Sequence, residues 1–177
     1  MTANEPAEHP AIAPLSFLLG RWEGVGKGDY PTIEAFDFIQ ELTFTHIGKP
    51  YLIYTSRSWR MVEDSEGDAV KGAPLGMEAG FWRPQPDNRV EVLLTHPTGI
   101  TEIYLGEVSG TQIEMATDAV VRTESAKAVT AGRRLYGLVD SARRPGEKDL
   151  AYAYDMAAVG QPLQPHLWAR LEWTWTD

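Results

Sequence analysis

FDFIQELTFTH, residues 36–46, places Phe36, Phe38, Leu42 and Phe44 on positions of one parity. Successive side chains of an extended strand point to opposite faces, so these four share one face, whereas a helix would scatter them around its axis. Working outward, Gly48, Lys49 and Pro50 turn the chain into YLIYTSRSW (51–59). Strand-like segments then recur to the end: EAGFWR (78–83), RVEVLLTH (89–96), ITEIYLGEV (100–108), TQIEMATDAV (111–120), TAGRRLYGLV (130–139), DLAYAYDMAAV (149–159) and HLWARLEWTW (166–175). Between them lie short Pro-, Gly- and Asn-containing breaks such as PQPDN, HPTG, SGT, SARRPGEK and GQPLQP. Upstream, GRWEGVG (20–26) opens the first strand, and PAIAPLSFLLG (10–20) reads as one short helix started by Pro14 and ended at Gly20, with Leu15, Leu18 and Leu19 on one side.

About ten antiparallel strands with short connections must stack as two sheets or close into a barrel. Six Trp and seven Tyr favour closure around a volume, since a barrel wide enough for a ligand lines its cavity with such side chains. A packed sandwich is the alternative. The expected fold is therefore all-β: a ten-stranded antiparallel barrel of lipocalin or fatty-acid-binding-protein type with a short N-terminal helix. Residues 1–9 read as a flexible polar tail and 10–177 as one domain.

Composition narrows the chemistry. The chain of 177 residues has no cysteine, which removes disulfides, thiolate nucleophiles and Cys-ligated metals. Its net charge of −9 argues against a nucleic-acid partner, because phosphate backbones are bound by clustered Lys and Arg. Neither a signal-type leader nor an apolar run of bilayer length is present, so a cytoplasmic chain with no membrane partner is expected. There is no G-x-S-x-G elbow, no H-E-x-x-H helix and no phosphate-loop ending after GVGKGDY. Asp64, Glu66 and Asp68 fall in a hairpin loop, His46 and His96 at turns, and His9 in the tail.

In GRWEGVG, Trp22 follows a helix-to-strand turn and can plug one end of a barrel, while Gly20, Gly24 and Gly26 permit bending or close backbone approach. With KGDYPTIEAFDFIQELTFTHIGKPYLIY (27–54), HPTGITEIYLG (96–106), SAKAVTAGRR (125–134) and AVGQPLQPHL (158–167), this G-x-W-x-G-x-G motif resembles the nitrobindin family, haem-binding β-barrels, from about residue 12 to 172.

The resemblance implies one haem b per chain, with His166 as the axial ligand of its iron. It further implies haem contacts from Thr32 and Lys127, and an apolar wall drawn from Phe44, Leu75, Met156 and either Val129 or Val121. The activity it implies is isomerisation of peroxynitrite to nitrate at a five-coordinate ferric haem, with nitric oxide as a second ligand. A non-catalytic haem, nitric oxide or hydrophobic-ligand carrier is the alternative, and a homodimer is compatible with either. Related sequences commonly carry a histidine where this chain has Gly76, which removes one hydrogen-bond donor from the pocket.

Strand parity reads awkwardly at the key position. It groups His166 with Trp168, Arg170 and Glu172, opposite the more apolar Leu167, Ala169, Leu171 and Trp173. His166 is therefore expected at the barrel mouth, before regular pairing begins.

Overall fold

The computed structural model describes residues 6–174. Residues 1–5 of the expected tail and 175–177 of the last segment lie outside the described residues. A 3₁₀-helix, Pro10–Leu18, precedes ten strands: β1 Gly20–Tyr30, β2 Ile33–Thr45, β3 Leu52–Glu63, β4 Ala69–Gln85, β5 Arg89–His96, β6 Ile100–Ser109, β7 Gln112–Arg122, β8 Val129–Asp140, β9 Lys148–Ala158 and β10 Gln164–Thr174. Each strand pairs antiparallel with its sequence neighbours, and β1 also pairs with β10, closing the barrel. The sandwich alternative is thereby excluded.

The opening helix differs from the expected one. It starts at Pro10, holds Pro14 inside, and ends with Leu19 as its cap. Buried Ile12, Leu15 and Leu18 recur every third residue, the 3₁₀ period, so three residues per turn bury this stripe where an α-helix would rotate it away. This helix and Trp22 seal one end. The Trp22 indole N–H donates to Leu18 O at 2.8 Å, and Leu42, Phe44, Leu52, Tyr54, Trp82, Val92, Leu150 and Leu171 pack the same core. Each such side chain removed from water contributes about 1.5–3 kcal/mol, which makes this end the solid half of the barrel.

β1 must lie close to its neighbours for the ring to close. A Cβ on Gly24 would fall 2.1 Å from Arg170 O, and one on Gly26 would fall 2.3 Å from the Phe38 ring and 2.5 Å from Trp168 O. Gly20 has φ +116°, and its Cβ would strike the Trp173 indole. The G-x-W-x-G-x-G pattern is thus a closure device: one Trp plug, with glycines where backbone and rings press inward.

Candidate functional site

The open end of the barrel is built around two register slips. In β10 the pairing passes from Pro165↔Asp155 to Leu167↔Tyr154, leaving His166 as the extra residue of a bulge. Between β1 and β2 it passes from Gly28↔Phe36 to Tyr30↔Ile33, so two β2 residues, Glu34 and Ala35, stand against Asp29. Bulges re-aim a side chain against strand parity. This explains how His166 escapes the outward face that alternation assigns it and lines the interior with Leu167.

The two slips meet in one contact: His166 Nδ1 lies 3.1 Å from Asp29 O. A carbonyl only accepts, so Nδ1–H is the donor and Nε2 keeps its lone pair free. Tyr30 meets the imidazole edge-on with centroids 5.2 Å apart, and Tyr154 packs at 5.8 Å. Burial lowers the His166 pKa, Arg134 pushes the same way, and the Asp29 carbonyl opposes both. The ring is held neutral and oriented.

A cavity of about 690 Å³ opens in front of it, within the usual range of roughly 300–1,000 Å³ for a small-molecule site. Thr32, Leu75, Lys127, Val129 and Met156 all line it together with His166. Lys127 has no salt-bridge partner among the described residues, so its ammonium is available at the mouth. Tyr30 fastens the rim, its hydroxyl accepting from Ala158 N at 2.9 Å and lying 3.1 Å from Met156 O. The β9–β10 turn is strained. Val159 is β-branched yet has φ +47°, and its N–H donates to Ala128 O at 2.8 Å, joining this turn to the Lys127 loop.

Two expected wall residues lie elsewhere. Phe44 is fully buried at the sealed end between Tyr54 and Trp82, with centroids at 4.9 and 5.3 Å. It shares the face of Phe36 and Phe38, but it is eight residues farther down the strand than Phe36, well past the cavity. Val121 is 64% exposed, on the outside. Gly76 does line the cavity, and a Cβ there would meet only Ser58 Oγ, at 3.5 Å, so a larger side chain has room.

Beneath lies an inner compartment of about 450 Å³ that shares His166, Met156 and Gly76 with the outer one. Its wall is polar. Arg134, 4% exposed, grips Glu78 with two donated bonds, Nη1 to Oε1 at 2.9 Å and Nη2 to Oε2 at 2.8 Å. The Tyr54 hydroxyl also donates to Glu78, at 2.8 Å. Arg134 Nε donates to Tyr104 OH at 3.1 Å, and His96 Nε2 lies 2.9 Å from Glu102 Oε2.

Sequence reasoning passed over Glu78, Glu102 and Arg134, and it placed His96 at a turn. His96 does end β5 at a turn, its carbonyl accepting from Gly99 N at 3.1 Å, but its ring stands on the compartment wall. A signal existed in the strand parity: Glu102 alternates with Tyr104 as Arg134 does with Tyr136, each on the aromatic, inward face. The opposite-parity aliphatics Ile103 and Leu105 would mislead, because they lie on the outside.

Glu78 yields an acid-stability prediction. Burial raises its pKa, but the Arg134 charge and bonds prevail and hold it at about 2, against 4.5 ordinarily. A depressed folded pKa contributes stability that is present above the unfolded value and is lost as pH falls through the folded one. The contribution, about 3 kcal/mol, should disappear between about pH 5 and pH 2 in wild type. Urea midpoints followed by tryptophan fluorescence should show a flatter acid limb in Glu78→Gln; equal limbs would refute the assignment.

Comparison with known proteins agrees with this geometry. The profile of the THAP4-like, heme-binding beta-barrel domain matches residues 11–172. A peroxynitrite isomerase from Nocardioides sp. is 56% identical over 163 residues, covering 92% of this chain and 93% of its own. A ferric nitrobindin-like protein from Thermobifida fusca is 44% identical, covering 93% and 94%. The crystal structure of Rv2717c from M. tuberculosis superposes with a TM-score of 0.78 at 39% identity, covering 95% of this chain and 99% of that one.

Proposed function

The chain belongs to the THAP4-like, heme-binding β-barrel family, and on that premise we propose that it holds one haem b with His166 Nε2 on the iron and isomerises peroxynitrite to nitrate. The observation that carries the reading is the Nδ1–H bond from His166 to Asp29 O, which leaves Nε2 as the only unprotonated ring nitrogen. A carbonyl on the far side of a ligating imidazole fixes its tautomer and raises its donor strength.

The rest of the cavity suits the group. Leu75, Val129 and Met156 offer apolar wall to the macrocycle, while Lys127 and Thr32 stand ready at the mouth for its carboxylates. When bound, the haem supplies a ferric iron on which the peroxide bond of the substrate can break and rearrange to nitrate. The protein binds the group, orients the ring that holds it, and limits water. His96, the other histidine on the cavity walls among the described residues, has Nε2 engaged by Glu102, and position 76 carries no side chain. Neither position therefore offers a second protein ligand, and a haem held by His166 would keep room for peroxynitrite or nitric oxide.

The test is direct. Protein expressed with ample haem should show a Soret band, accelerate peroxynitrite decay beyond the rate with protein-free haem, and raise the nitrate yield. A Soret band with decay no faster than free haem would leave only a haem or nitric oxide carrier. No Soret band would end the reading altogether.

A further inference from the structure

The inner compartment sets two carboxylates, Glu78 and Glu102, against one guanidinium, Arg134. The three come from three strands, β4, β6 and β8, and Glu102 is only 1% exposed. Tyr54, Tyr104, Tyr136 and Tyr154 pack round them as neutral phenols, since burial raises the pKa of each. The Arg134 guanidinium also lies over the Tyr154 ring, 4.5 Å from its centroid. Gln40 and Ser56 complete the wall, and their side chains bond each other at 2.9 Å. His96 faces Glu102 from β5, so the compartment sets two carboxylates against one guanidinium and one imidazole.

A well-packed aliphatic belt would serve stability as well as buried ions do, or better. Ile103 and Leu105 of the same strand instead face outward, 37% and 48% exposed, while Glu102 points in. An inward charge at that cost needs a role beyond packing, and the compartment it charges is walled by His166 itself. Burial leaves such a charge poorly screened by salt.

We propose that the Glu78–Arg134–Glu102 belt sets the redox poise of the prosthetic group, favouring ferric over ferrous iron. This rests on the haem reading above. A ferric macrocycle core carries one net positive charge and a ferrous core none, so a nearby carboxylate stabilises the first and is indifferent to the second.

The experiment is a spectroelectrochemical titration of the haem-loaded full chain at pH 8.5, where histidine is ordinarily neutral. Glu102→Gln, which preserves shape, should raise the midpoint potential by ~60 mV, the one-electron equivalent of a tenfold change in the ferric-to-ferrous ratio. Glu78→Gln should move it the same way and serves should the first variant not fold. Arg134→Lys keeps the charge and should leave the midpoint in place. An unchanged or lowered midpoint in both Gln variants, with the Soret band intact, overturns the proposal while leaving the haem reading standing. Wild-type protein without a Soret band removes both.

Discussion

Replacing His166 by glycine should release haem from the protein more than about 100-fold faster than wild type, since loss even of partners behind a ligand costs 10–100-fold in metal affinity. The side chain sits in a bulge, half-buried, with one hydrogen bond to Asp29 O, so its removal should leave the barrel folded. Haem transfer to an excess of apomyoglobin measures the rate, and circular dichroism checks the fold. Added imidazole should restore the Soret band of His166→Gly, because the deleted ring leaves a space of its own shape beside Tyr30 and Tyr154. Equal release rates in wild type and variant would show that the ligand lies elsewhere.

The second large effect concerns stability. Arg134→Met should cost about 3–5 kcal/mol, the usual penalty for removing one partner of a buried ion pair. The substitution leaves Glu78 with the Tyr54 hydroxyl, and Glu102 with His96. For a chain of this length, that should lower the melting temperature by roughly 10 °C. Much of the loss should return in the double variant Glu78→Gln/Arg134→Met, because an uncharged amide needs no counterion. Urea unfolding of the four proteins closes the cycle. A loss below 1 kcal/mol in Arg134→Met would mean that water reaches the compartment and solvates the carboxylates.

These two residues show unequal legibility. His166 was accessible through the AVGQPLQPHL stretch and its likeness to a known family; period-two reading grouped it with charged residues, and the expected place before regular pairing differs from the observed one, a bulge after Gln164 and Pro165 have already paired. Parity assumes an unbroken ladder, and the Pro165/Leu167 slip breaks it one residue too late for alternation to register. Arg134, by contrast, stands in TAGRRLYGLV beside Arg133, and only its shared parity with Tyr136 tells the two cations apart in sequence. Arg133 points outward to Glu114 and Arg134 inward to Glu78. Parity with the buried Tyr136 marks Arg134 as the inward one, and the register of β8 against β9 sets it opposite Tyr154.

Phe44 teaches the converse lesson. Its face was read correctly from FDFIQELTFTH, but a face is not a depth. A strand of thirteen residues runs from the open end to the sealed one, and nothing in its alternation says where the cavity stops and the solid core begins. That boundary comes from the 3₁₀-helix and Trp22 filling one end.

Local alternation and turn chemistry, which act between neighbours in the chain, sufficed to establish ten strands and their breaks, while whole motifs such as GRWEGVG and AVGQPLQPHL carried the likeness to haem-binding barrels. Barrel closure, the depth of the cavity, the re-aimed imidazole and the buried ion belt depend on pairings between residues far apart in the chain. Asp29 and His166 are 137 positions apart, and Glu78 and Arg134 are 56. Such contacts exist only once register is set around the whole ring, so no stretch read alone could disclose them.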